Sequence, residues 1–301
     1  MSDTTHLAST PHRLLSAGYL TTSDLRYAGI SRHHSARLIE QGQLVRVRRG
    51  RFVPADMPAE LIAVGRLGGR LDCVSLLWAL GVFVRTSATK PHVQFERGAS
   101  RLPPRPPEVV AHWRSSLSPH TALTAPLVEA VAQACRCQSP RDAIATLDSA
   151  WHRGLLSESG IADVSALLPR RYRRLRSLLD PRSESGPETL VRLMLRSLGC
   201  QVELQVVIVG VGRVDLVVDG WLIVECDSRA HHSDWGAQRR DRRRDLAAAA
   251  LGYTTVRPIA EDILGDPAAI LAALRSALAH PAPRPGLRNS SNRAATVPDT
   301  L

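Results

Sequence analysis

The sequence predicts three folded regions and a tail: an N-terminal winged helix (residues 1–57), an α+β connecting domain (58–180), a C-terminal α/β domain with a mixed sheet flanked by helices (181–280), and a disordered tail (281–301). Three observations carry this. Two short capped helices are followed by an arginine-rich hairpin between residues 10 and 55. From residue 188 onward the apolar period alternates between helix and strand. Within that last stretch, at Gly212–His232, two apolar runs flank Asp219-Gly220 and end in acidic residues, which marks a hairpin with a polar rim.

The first helix starts at Thr21-Thr-Ser-Asp24, a capping signal, and runs through Ala28 to Gly29. Ser31 caps the second, Arg32-His-His-Ser-Ala-Arg37-Leu-Ile-Glu-Gln, which Gly42 ends. Leu44-Val-Arg-Val-Arg-Arg-Gly50-Arg-Phe-Val then forms a basic hairpin around Arg49-Gly50. Helix, turn, helix and a basic wing is a layout that lays a helix in the major groove. Arg32, His33, His34 and Arg37 lie early on that helix, and Arg46, Arg48, Arg49 and Arg51 on the wing. The competing reading is a winged helix for protein contacts whose arginines form a solvated face.

Residues 61–67 and 74–80 read as helices, and His92-Val-Gln-Phe95 and Val109–Trp113 as strands. The stiff Arg101-Leu-Pro-Pro-Arg-Pro-Pro107 loop joins the two strands. Helices follow at 124–136 and 141–153. Isolated His92, His112 and His152 read as structural histidines, and nothing in this region has the spacing of a catalytic site.

The break Asp180–Pro187 opens the last domain. Its first helix, from Glu188, carries Leu190, Val191, Met194, Leu195 and Leu198 on one face and ends at Gly199. A strand at 202–209, the hairpin, an arginine-rich helix at about 236–251 and the strand Thr254–Arg257 follow. In the hairpin, a two-residue loop would put Asp215 and Glu225 on opposite faces. A three-residue loop, Val218-Asp219-Gly220, pairs Asp215 with Ile223 and makes Glu225 its diagonal neighbour on one face, with Asp227 two residues on. Diagonal neighbours have Cβ atoms roughly 7 Å apart, within reach of one ion. The expectation is the three-residue loop and a divalent-metal site, because carboxylates at the rim of a buried hairpin are costly unless they hold a cation. The bland reading is an exposed edge guarded by charges.

Composition narrows the partners. The net charge of +11 and pI near 10.5 favour a polyanion. Lys90 is the only lysine, however, so arginine number alone says little. Clustering says more, at Arg170–Arg176 and Arg239–Arg244. The five cysteines are odd in number and show no paired zinc spacing, which fits a reducing cytoplasm. Met-Ser-Asp-Thr-Thr-His lacks an apolar leader core, and no run of 18 apolar residues occurs, so a cytoplasmic protein is expected.

Two resemblances add to this. Gly42-Gln-Leu44 and Arg49-Gly50-Arg-Phe52 resemble the N-terminal domain of AbiEi-type antitoxins, which implies a DNA-binding regulator with a protein partner from a neighbouring gene. Ser185-Gly-Pro-Glu188, Arg213-Val-Asp215, Val224-Glu225-Cys-Asp227-Ser, His231-His232, Arg240-Asp241-Arg-Arg-Arg244-Asp245 and Gly252–Arg257 together resemble the PD-(D/E)XK nuclease superfamily. The likeness is nearest to its very-short-patch repair branch. It implies a nuclease-like fold in which Asp215, Glu225 and Asp227 hold Mg²⁺ or Mn²⁺. The superfamily's lysine position is occupied here by Asp227. In the very-short-patch branch a histidine serves as general base. His232 has its spacing, and His231 is the runner-up. Glu188 divides between capping and outer metal ligation, and Arg240 and Arg244 between gripping phosphate and pairing with Asp241 and Asp245. The resulting expectation is a metal-dependent DNA endonuclease. Its alternative is a DNA-binding regulator or antitoxin with an inactive nuclease fold.

Overall fold

Local capping sets the first organised stretch. After α1 (Pro11–Leu15) and β1 (Leu20–Thr21), the Thr21 hydroxyl accepts the Asp24 N–H and the Asp24 carboxylate accepts the Thr21 N–H at 2.7 Å. This reciprocal box starts α2 (Thr22–Tyr27). Ser31 Oγ accepts the His34 N–H at 3.1 Å and starts α3 (Arg32–Glu40). Strands β2 (Leu44–Arg48) and β3 (Arg51–Pro54) form the wing, turning at Arg49-Gly50 with Gly50 at φ 70°. Strand β1 adds to β3, giving the order β1-β3-β2. Leu25, Leu44 and Phe52 form the small core, with Ile30, Leu38 and Ile39 packed on it.

The structure is a computed structural model that describes residues 11–85, 90–227 and 235–280. The chain folds as two compact units, 1–176 and 177–301. The expected winged helix and the connecting domain up to Arg176 fall together in the first. They are stitched by backbone hydrogen bonds, from Tyr19 N–H to the Thr121 carbonyl (2.8 Å) and from Leu123 N–H to the Ala17 carbonyl (2.9 Å).

Beyond the wing, the first unit continues through α4 (Ala59–Leu67), β4 (Arg70–Leu71), α5 (Cys73–Ala79), β5 (His92–Phe95) and β6 (Val110–Trp113). The three strands form a sheet in the order β4-β5-β6, with β5 and β6 parallel. Helices α6 (Leu127–Cys137), α7 (Pro140–His152) and α8 (Glu158–Leu167) follow, then a 3₁₀ run over Arg170–Leu178. The sequence pattern does not single out β4 or α8. A two-residue strand has no period to display, and it exists because Arg70 and Leu71 pair with Gln94 and Val93.

In the second unit, Ser185 caps α9 (Gly186–Ser197), whose Leu190, Val191, Met194 and Leu195 are buried. Strands β7 (Val202–Ile208), β8 (Gly212–Val218) and β9 (Leu222–Val224) run antiparallel in sequence. Helix α10 (Trp235–Ala250) leads to β10 (Thr254–Val256), which pairs parallel with β9. The order is β10-β9-β8-β7. Val214, Val217 and Ile223 pack with Ala248 of α10. Helices α11 (Ala260–Gly265) and α12 (Pro267–Ala279) close the described chain, and the expected tail 281–301 lies outside it.

One expectation about the hairpin is corrected. Val218 pairs with Leu222, so the three-residue loop is Asp219-Gly220-Trp221, one residue later than expected. Asp219 (φ 49°) and Gly220 (φ 76°) are both left-handed. The cause is local: the Asp219 carboxylate accepts the Gln201 N–H at 2.8 Å while the Asp219 N–H donates to the Gln201 carbonyl. That pins the turn against the end of α9. Continuing the register by one step brings Asp215 opposite Glu225 rather than Ile223. The carboxylates still share a face.

Candidate functional site

Two regions carry the residues that the sequence singles out. The first is the basic face of the winged helix. Arg32, His33 and Arg37 are exposed on α3, as are Arg46 and Arg49 on the wing. Among the described residues none of these three α3 and two wing side chains forms an ion pair.

The other wing arginines turn inward. The register of β2 on β3 slips between Arg46 and Arg48, so Leu44 and Val47 are both buried and Arg48 swings towards the body of the unit. Arg48 donates to the Arg101 carbonyl at 2.8 Å. Its guanidinium fills the space beside Gly68, where an added Cβ would meet Nη1 at 1.8 Å. The Arg51 guanidinium sits 4.9 Å from the centre of the Tyr19 ring. Together with Arg49, Arg70 and Glu96 these side chains line a cavity of about 310 Å³. Arg46 and Arg49 therefore remain the wing's outward cations, and Arg48 and Arg51 hold the wing in place.

The second region is the acidic end of the sheet in the second unit. Asp215, on β8, accepts the Cys226 N–H at 2.9 Å. Glu188, in the first turn of α9, donates its N–H to Ser185 Oγ. Its carboxylate reaches past that cap to accept the Glu184 N–H (2.9 Å) and Gln205 Nε2 (3.0 Å). Capping and site-building thus fall on one residue. Gln205 stands across β7 from Asp215 in a left-handed conformation, φ 53°, which costs about 1 kcal/mol or more in a strand. The sequence offers no sign of this role.

Glu225 is 8% exposed, and both of its oxygens are taken: Oε1 by Arg244 at 3.1 Å and Oε2 by Arg257 at 2.5 Å. Arg257 also reaches Asp245 (2.8 Å) and Asp227 (3.6 Å). Arg244, on α10, donates to the carbonyls of Val211 and Arg213 as well. The expected pairing of Arg244 with Asp241 is only 3.9 Å long, because the guanidinium faces the sheet. Arg240 stays exposed. Asp227 is exposed and bridges to Ile259 through its backbone. His231 and His232 lie outside the described residues.

Burial raises the carboxyls here. It pushes Asp215 above the ordinary aspartate value, and the charges of Glu184 and Asp227 add to this. Burial also raises Glu188, reinforced by Asp215. For Glu225 burial outweighs the opposing pull of Arg257 and Arg244. Three carboxyls whose charge is penalised by burial mark a site that favours added positive charge. The arginines already supply it to Glu225. Among the described residues the carboxylates do not gather with all ligand atoms within 4.8 Å of one another. As it stands the acidic end pairs carboxylate with guanidinium, and it fits a divalent cation only if one of those pairs opens.

A family model described as a transcriptional regulator, AbiEi antitoxin, matches residues 12–54. These are the residues of the winged helix from α1 to the end of β3. No curated protein matches the chain. Among the described residues no helix is long and apolar enough to cross a membrane.

Proposed function

We propose that this chain is a DNA-binding transcriptional regulator of the antitoxin type, using α3 and the wing to hold duplex DNA. The observation that carries this reading is the outward set Arg32, His33, Arg37, Arg46 and Arg49 on the winged helix that the family model matches. Arginines that form no ion pair among the described residues keep their charge for phosphate, and each phosphate neutralised adds about one unit to the salt slope of binding. α3 presents its first turn to base edges, where Arg32 and His33 read sequence and Arg37 grips the backbone. As an antitoxin the protein would also engage a partner toxin. The test is fluorescence anisotropy with the duplex upstream of its own gene, titrated at several salt concentrations. Binding with a steep negative salt slope supports the reading, and affinity no greater than that of a neutral protein defeats it.

A second reading concerns the second unit: divalent-metal-dependent hydrolysis of DNA phosphodiesters. The raised carboxyls of Asp215, Glu188 and Glu225 favour it. Asp215 and Asp227 would offer oxygens to Mg²⁺ or Mn²⁺, with Glu225 joining in place of one guanidinium. Such an ion would supply charge stabilisation at phosphorus. Arg240 would hold the phosphate backbone, and His232 or His231 would take a proton from water. Plasmid nicking with Mg²⁺, Mn²⁺ or EDTA separates the readings. A nuclease loses orders of magnitude of activity in Asp215→Asn, whereas a regulator nicks under none of these conditions.

A further inference from the structure

Away from both regions, four side chains from four elements of the first unit converge. Cys73 opens α5, His92 opens β5, His112 lies on β6 and Cys137 ends α6. Each offers one ligand atom, and these two sulfurs and two ring nitrogens all lie within 4.8 Å of one another. His92 Nδ1 is 3.0 Å from His112 Nε2, and Cys137 Sγ is 3.9 Å from the same nitrogen.

The backbone arranges this. In the parallel pairing of β5 and β6, His112 sits opposite Gln94, so His92 and His112 are diagonal neighbours on one face of the sheet. Helices α5 and α6 pack against each other. Cys73 comes from the first residue of α5 and Cys137 from the last residue of α6. Cys73 is wholly buried and adopts φ 53°, a left-handed conformation that a non-glycine residue holds at a cost. The neighbouring backbone is cross-linked: Asp72 N–H donates to the His92 carbonyl at 3.0 Å, and His92 N–H donates to Ser75 Oγ at 2.8 Å. The fully buried Asp72 carboxylate is held in turn by both Nη atoms of Arg114.

Two imidazole nitrogens aimed at each other, with two sulfurs beside them, exceed what hydrogen bonding requires. One proton satisfies the histidine pair and leaves a buried sulfur facing polar atoms. A tetrahedral ion uses all four. With Zn–N bonds of about 2.0 Å and Zn–S bonds of about 2.3 Å, tetrahedral edges come to roughly 3.3 Å for N···N and 3.5 Å for N···S. The observed 3.0 and 3.9 Å lie within a few tenths of these.

We propose that Cys73, His92, His112 and Cys137 form a structural zinc site that clamps α5 and α6 onto the β5–β6 face. Two thiolates and two imidazoles select zinc over hard cations such as Mg²⁺. Four protein ligands close the coordination shell, so the ion holds the fold and takes no part in chemistry. Both thiols lose their protons to the solvent as the ion binds. Cys137 is exposed, and the ion enters from its side. The site is independent of the DNA and nuclease readings.

Metal analysis of the full chain, purified without added metal or chelator, tests it. About one zinc per chain is expected in the wild type. Cys137→Ser and His112→Ala should retain only a small fraction, while Cys200→Ser, outside the cluster, keeps the full amount. Because Cys137 is at the surface, its serine variant should still fold, as circular dichroism will show. Cobalt(II) added to metal-free protein should give the visible bands of a tetrahedral ion and a thiolate charge-transfer band that Cys137→Ser weakens. A folded wild type without zinc and without this cobalt spectrum overturns the proposal. So does a Cys73–Cys137 disulfide in protein prepared under reducing conditions.

Discussion

Arginine does two different jobs in the two units of this chain. On the winged helix, Arg32, Arg37, Arg46 and Arg49 face solvent and make no ion pair among the described residues. At the acidic end of the second unit, Arg244 and Arg257 are part-buried and spend their donors on Glu225, Asp245 and backbone carbonyls. A positive charge is available to a partner only where the fold has not already used it. The 39 lysines and arginines therefore overstate how many cations the chain offers to a polyanion, and on α3 and the wing Arg32, Arg37, Arg46 and Arg49 are among those left exposed.

The sharpest way to break this contrast is to remove one arginine from each class. Arg257→Ala leaves Glu225 and Asp245 short of a partner and should cost the second unit about 2 kcal/mol, somewhat below the loss for a fully buried pair. Urea denaturation reads this directly, and an unshifted midpoint would show the network to be idle. Arg46→Ala combined with Arg49→Ala should change the unfolding free energy from urea denaturation by less than about 0.5 kcal/mol. The same pair should reduce the salt slope of DNA binding by about two units. An unaltered slope would hand the wing to protein partners.

Titration sharpens the comparison further. A carboxyl raised in the folded state binds its proton more tightly there than in the unfolded chain. Its stabilising contribution is complete below the ordinary values of 3.8 for Asp and 4.5 for Glu, and is lost as pH rises through the raised values. Asp215→Asn removes one such group and relieves Glu188 and Glu225. Thermal melts should therefore show the variant level with the wild type at about pH 4 and progressively more stable towards neutrality. A constant difference across that range contradicts the assignment. The smallest effect on DNA binding is expected at Arg48→Ala. It should lose about 1 kcal/mol with its hydrogen bond to Arg101 and change the salt slope by well under one unit.

What the sequence reveals depends on how far its signals must reach. The caps at Thr21, Ser31 and Ser185 and the Arg49-Gly50 turn act within four residues and are legible from the chain alone. So are the order of elements from α9 to β10 and the shared face of Asp215 and Glu225, whereas the sequence pattern singles out neither α11 nor α12. The exact loop register is not, because it depends on Gln201, 18 residues before the turn and just ahead of the neighbouring strand β7. The fate of the wing arginines is equally hidden, since Arg48 finds its acceptor 53 residues away. Cys73, His92, His112 and Cys137 escape for the same reason. Their separations match no zinc motif, and only the pairing of β5 with β6 and of α5 with α6 brings them together.

The backbone ladder between Gly18 and Ala122, with Leu71 bridged to Thr124 on its other side, bears on how portable the winged helix is. Residues 121–125 run between the wing-bearing region and the β4 layer, hydrogen-bonding to Ala17, Tyr19 and Leu71. A fragment cut at residue 57 would expose the edges of that ladder and uncover Val47, which Gly65 approaches. The region that a family model recognises as a unit is thus not a cassette that can be lifted into another protein. Grafting α3 and the wing elsewhere requires carrying the chain through residue 125 as well.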